Sequence, residues 1–179
     1  GRCDLVTDLR LPAGVRENVA TGTFGTWDET GRHLHLALLL GGVRGEGYGR
    51  SVGRYIHQDG GVMPTAEALE AAIRTQPGDA LTAARADLLQ AIRRQGLPAG
   101  PLLVTHQWRN ASPLANAFRH DVPFTVHPGI GYDIIHELPS LDGAALGASS
   151  YQDFLVLAHA IEGLEGGVLL NLGTAVMGP

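Results

Sequence analysis

Apolar positions in the first half of the chain recur every three or four residues, the spacing that lays them along one face of a helix. The stretch DETGRHLHLALLLGG shows this first: Leu34, Ala37, Leu38 and Gly41 share a side, Asp28 can cap the start and Gly41 can stop the helix. GRSVGRYIH predicts a short helix. PTAEALEAAIRTQPG predicts a longer one, with Pro64 in its first turn and Pro77-Gly78 past its end. LTAARADLLQAIRRQG carries the strongest pattern, with Ala84, Leu88, Ala91 and Ile92 on one face and Gly96 as the stop. Residues 60–79 are bounded by turn signals and read as a surface excursion; residues 60–99 together read as a helical excursion.

The second half changes rhythm. GPLLVTH, VPFTVH and GGVLLNLG are short apolar runs bounded by Gly or Pro, and they predict strands at Leu102–Thr105, Pro123–Val126 and Val168–Asn171. Between the first two lies SPLANAFRH, with Ser112 as cap and Pro113 at the first helical position. Between the second and third lies SSYQDFLVLAHAIEGLEGG, with Phe154, Leu157, Ala158 and Ile161 on one face. Alternating strands and helices predict an α/β fold, a Rossmann-like parallel sheet with flanking helices, incomplete at both ends. Right-handed crossovers would put the three strand ends on one edge, where open parallel sheets bind ligands. His106, His127 and Asn171 would stand there, each followed by a loop, and Gly173 and Thr174 could offer backbone N–H groups to a phosphate.

Composition narrows the function classes. A chain of 179 residues with 44% hydrophobic and 17% charged content can bury a core. A net charge of −5 argues against a nucleic-acid partner. The longest aliphatic run, LALLL, is too short to span a membrane, and Arg2, Asp4, Asp8 and Arg10 stand where a secretory leader would be apolar. The lone Cys3 fits a reducing, cytoplasmic setting. All 13 basic residues are arginine, so no side-chain amine can form a Schiff base.

Several motifs invite chemistry. GEGYGRSVG has the look of a nucleotide loop, but Arg44 and Arg50 stand where a P-loop needs Gly and Lys, and the preceding segment is helical; an interhelical turn is the better reading. His33 and His35 are two apart on a helix and do not share a face, which suits packing or surface roles better than metal ligation. The stretch HPGIGYDIIHELPSLDGAALG follows an apolar run and gathers two histidines, two aspartates and flexible glycines. Asp133 and His136 fall on one side of a helical turn, where a carboxylate beside an imidazole can hold a cation or tune a proton shuttle. Equally, Asp133 can cap DIIHEL. A metal cluster of His127, Asp133 and His136, serving a metal-dependent hydrolase, trails both, because the spacing is not that of a defined ligand set.

HPGIGYDIIHELPSLDGAALG and GGVLLNLGTAVMGP, with VRENVATGTFGTWDETGRHLHLAL and GRSVGRYI before them, resemble bacterial proteins of the deoxyhypusine-synthase-like group. The resemblance covers the chain from about Val15 and is weakest over residues 60–99. It implies a single deoxyhypusine-synthase-like α/β domain over residues 1–179, NAD as cofactor, a small substrate that could bear an amine, and a homo-oligomer, up to a tetramer, with sites near subunit interfaces. Asp133 is similar to an acidic residue of the synthase's substrate loop, and Gly173 and Thr174 to its glycine-rich turn. The group also carries an earlier Gly-Ala-x-x-His-Asp type motif and a further helix beyond GTAVMGP, so the chain reads as a fragment. The synthase's imine-forming lysine has no counterpart here, and its activity does not carry over. The implied reading assigns Asp133 as electrostatic anchor, His127 or His136 as acid/base, and His106, Gly129, Gly131, Asn171, Gly173 and Thr174 to the cofactor. The alternative from another class is a non-catalytic ligand-binding or assembly subunit.

Overall fold

The computed structural model describes residues 28–131, 133–137, 141–170 and 172–173. Helix α1 (Asp28–Gly42) is its centre. Leu36 to Leu40 are all buried, five in succession, so the helix is apolar all round and must be covered on every side. The covers are α2 (Tyr48–His57), strand β1 (Gly60–Met63), α4 (Thr82–Gln95) and α6 (Gly143–Glu162). Helix α3 (Ala66–Thr75) packs on α4, and α5 (Pro113–Arg119) on α2. Among the described residues no helix is long and apolar enough to cross a membrane.

The helix stops and starts follow the sequence closely. Thr65 caps α3 by accepting from the Ala68 N–H at 3.1 Å, which leaves Pro64 just outside the helix rather than in its first turn. Gly96 ends α4 in the left-handed conformation, φ 63°, that an L side chain resists. Ser112 caps α5, with Pro113 following as expected.

The sheet overturns the Rossmann-like expectation. Among the described residues it has two strands, β1 and β2 (Gly100–Leu103), paired antiparallel with Gly60 opposite Leu103 and Met63 opposite Gly100. β1 falls in the stretch read as a surface excursion. The run PLLV is continuous in apolarity, which suggested a strand buried on both faces. In fact Val62 and Leu103 face solvent while Met63 is buried, the one-sided burial of an antiparallel pair. Residues 123–126 join no ladder among the described residues. Pro123 has no N–H to give, and the Val126 N–H goes to a side chain, Asp153. Residues 168–170 join no ladder either and are about three-quarters exposed.

Helix α6 also departs from expectation. It begins at Gly143, inside the stretch read as a loop, because Asp142 caps it through the Ala145 N–H at 2.9 Å. Its buried stripe is Ala145, Leu146, Ser149 and Asp153. The face that carries Phe154 and Ile161 lies outside the core: Phe154 is 54% and Ile161 49% exposed.

Candidate functional site

The site is built around the entry to α2. Gly47, the residue before the helix, is extended and has no side chain to cap it. The first N–H groups of α2 therefore need an acceptor from elsewhere. Asp153 supplies one from the middle of α6. Its Oδ2 accepts from the Gly49 N–H and from the Val126 N–H, both at 2.8 Å. The residue is 2% exposed. One carboxylate thus fastens α2, α6 and the segment at Val126 together. The glycines permit it: a methyl on Gly47 would overlap the Asp153 carboxylate, and one on Gly49 the Phe124 carbonyl oxygen. Burial pushes the Asp153 carboxyl above the ordinary carboxylate range, against the pull of its two N–H donors and of nearby His127.

Tyr48, the first residue of α2, is buried. Burial, then the negative charges of Asp133 and Asp153, hold its phenol above its usual value, so it remains a protonated donor. Asp133 stands before a single 3₁₀ turn, Ile134–Glu137. Its carboxylate accepts from the Gly129 N–H, and its own N–H donates to the Gly129 carbonyl at 3.3 Å. The side chain therefore ties the loop to its own entry. The His136 ring Nδ1 lies 2.9 Å from the Asp133 carbonyl. A carbonyl can only accept, so Nδ1 carries the proton and Nε2 keeps the lone pair of the neutral ring. Ile135 is buried and pins the turn to the core. His127 is exposed, its Nε2 3.0 Å from the Thr125 hydroxyl.

The turn reaches a group that the sequence suggested only as packing. His35, on α1, is 2% exposed; its Nδ1 donates to the Gly31 carbonyl at 2.8 Å and its Nε2 has no hydrogen-bond partner among the described residues. Burial holds its pKa below the usual 6.5; the Gly31 carbonyl and Asp142 oppose this, and His136 adds to it. The folded protein then binds fewer protons here than the unfolded chain just below pH 6.5. This group's stabilising contribution is therefore complete above that pH and is lost as the pH falls through the lower folded value. Urea midpoints across that range should show the decline, and His35→Leu should flatten it; an unchanged slope in that variant would assign the decline to other groups.

Of the residues expected to hold NAD, His106, Gly129, Gly131 and Gly173 lie among the described residues. His106 is buried beside Tyr55, ring centroids 6.0 Å apart, and its backbone N–H donates to Asp59 Oδ1 at 2.9 Å. The Gly129 N–H is taken by Asp133. Gly131 has φ 98°, and among the described residues nothing lies within 4 Å of a methyl added there or at Gly173. Asn171 and Thr174 lie outside the described residues. The glycine-rich helix entry at 45–49 is filled by Asp153, whose carboxylate would repel a pyrophosphate. Among the described residues, then, this entry offers no cradle to a pyrophosphate. Nor, among them, does any group of three acidic, histidine or cysteine side chains stand where it could hold a metal ion, His127, Asp133 and His136 included.

Asp153 is hard to single out in the sequence because it sits inside an apolar helix that begins earlier than SSYQDF suggests. With Asp142 as the cap, the stripe Ala145, Leu146, Ser149, Asp153 carries a carboxylate into the core, and that is a usable signal. Comparison with family models, curated proteins and solved structures finds no match to the chain.

Proposed function

We propose that the chain is a deoxyhypusine-synthase-like ligand-binding subunit that takes a small cationic, amine-bearing molecule at the turn from His127 to His136. Asp133 anchors the positive charge, the His136 Nε2 accepts a proton, and His127 stands at the edge. What supports this is that two of the stretches that carry the resemblance, far apart in sequence, share one core: Ile135 of the turn is buried with Leu36 to Leu40 of α1. Asp153 holds Gly49 and Val126, Asp133 acts on Tyr48, and His136 acts on His35. Calorimetry with 1,4-diaminobutane tests it. The wild type should bind saturably, and Asp133→Asn should weaken binding about tenfold, since a hydrogen bond to a charged group is worth ~1.5–3 kcal/mol. Normal binding with a lowered melting temperature would make Asp133 a structural residue. NAD is carried by the resemblance alone, and titration of the same protein with NAD decides it.

The assembly reading has its own support. Phe154, Leu157 and Ile161 recur at helical spacing on the exposed half of α6, and Val168, Leu169, Leu170 and Leu172 are exposed beyond it. Exposed apolar side chains of this kind are favourably buried by a partner. The chain should self-associate at micromolar concentration in sedimentation, and Phe154→Glu with Ile161→Glu should leave a monomer. A monomeric wild type would remove this part of the proposal.

A further inference from the structure

A cleft of about 460 Å³ opens between the start of α2, the end of α5, residues 121–124 and the middle of α6, and Arg44, Arg50 and Arg54 line it. Arg50 and Arg54 are one helical turn apart and both lie over the Phe118 ring, 5.5 and 4.7 Å from its centroid. They are held differently. The Arg54 Nε lies 2.9 and 3.0 Å from the two carboxylate oxygens of buried Glu46, so this pair is fixed and neutral. Arg50 is half exposed and reaches Glu46 only at 3.7 Å; its close partner is Asp121, at 2.6 Å. Asp121 is itself largely exposed, and its backbone is in the left-handed region, φ 53°, which L-residues adopt reluctantly. Arg44 is exposed and donates to the Leu40 carbonyl at 2.8 Å.

At the rim, then, the Arg50 guanidinium holds one exposed carboxylate, with Phe118 beneath it and Arg44 lining the same cleft. We propose that this cleft binds a small organic molecule bearing an oxyanion, whose charged group takes the place of Asp121 on Arg50, with Arg44 beside it and its apolar body against Phe118. An exposed ion pair contributes little, so Asp121 is displaced at small cost, whereas a guanidinium can grip an oxyanion through two parallel hydrogen bonds. The chain's net charge of −5 gives no long-range attraction for such a ligand, so recognition is local.

The test uses the full chain and two probes, inorganic phosphate and succinate, titrated by calorimetry. Asp121→Asn deletes the competing charge while keeping a residue that tolerates the left-handed region. It should tighten binding about threefold, the scale of an exposed ion pair. Arg50→Gln should weaken it at least about tenfold, the scale of a charge-assisted hydrogen bond. Binding of phosphate alone identifies a phosphate ligand, and binding of succinate alone a carboxylate ligand; either supports the site. Silence from both probes in wild type and Asp121→Asn overturns it, as does equal binding by Arg50→Gln. If Arg50→Gln does not fold, Arg44→Gln decides: unchanged affinity there overturns the proposal.

Discussion

Asp153→Ala is expected to lower folding stability by about 3 kcal/mol, because two buried backbone N–H groups lose their acceptor at ~1–3 kcal/mol each. Those groups belong to Gly49 and Val126, on two separate segments that this one carboxylate ties to α6. Urea denaturation measures the loss as a shift in midpoint at unchanged slope. Asp153→Asn keeps an acceptor oxygen and should lose far less. It should also remove a pH effect of definite sign. The folded carboxyl titrates above its unfolded value of 3.8, so its contribution is full below that pH and is lost as the pH rises through the folded value. A wild-type midpoint in Asp153→Ala would mean that the two N–H groups find other partners.

Gly49→Ala is expected to destabilise by about 3 kcal/mol, the upper range for overpacking against an unyielding neighbour. An alanine normally strengthens a helix relative to glycine by about 1 kcal/mol. Here the added methyl would run into the Phe124 carbonyl oxygen, and backbone cannot swing aside as a flexible side chain can. Gly147→Ala is the matched control. That glycine is exposed inside α6 with nothing within 4 Å of an added methyl, so the same change should stabilise by about 0.5–1 kcal/mol. Equal effects at the two positions would refute the close approach of α2 to residues 122–126.

The helices were legible and the sheet was not, for reasons visible at particular residues. Ser112-Pro113, Thr65 and Gly96 are local signals, each acting within a few positions of itself, and each marks a real helix end. Strand pairing is decided by distant partners. PLLV carries no mark of whether its neighbour runs parallel or antiparallel, and nothing in VPFTV announces that its backbone will bond to a carboxylate 27 positions away. The candidate site was half legible. Asp133 and His136 do share one turn, and one Asp133 carboxylate oxygen accepts from Gly129, but the Tyr48 and His35 groups that the turn influences could be found only by folding. The arginines of the cleft looked like failed P-loop positions; their meaning depends on Phe118 and Asp121, some 70 residues on.

The Asp153 clamp also orders events in time. Its bond to Gly49 closes a loop of 104 residues, whereas α1 against α2 and α3 against α4 join neighbours in sequence. Loop closure is paid in chain entropy before the contact returns anything, so the helical hairpins assemble first and the carboxylate engages on a nearly finished scaffold. A contact absent from the transition state leaves the folding rate alone when it is removed and speeds unfolding instead. The stability lost in Asp153→Ala should therefore appear almost wholly in the unfolding arm of the chevron, which makes this buried acid a determinant of how long the native state lasts rather than of how fast it is reached.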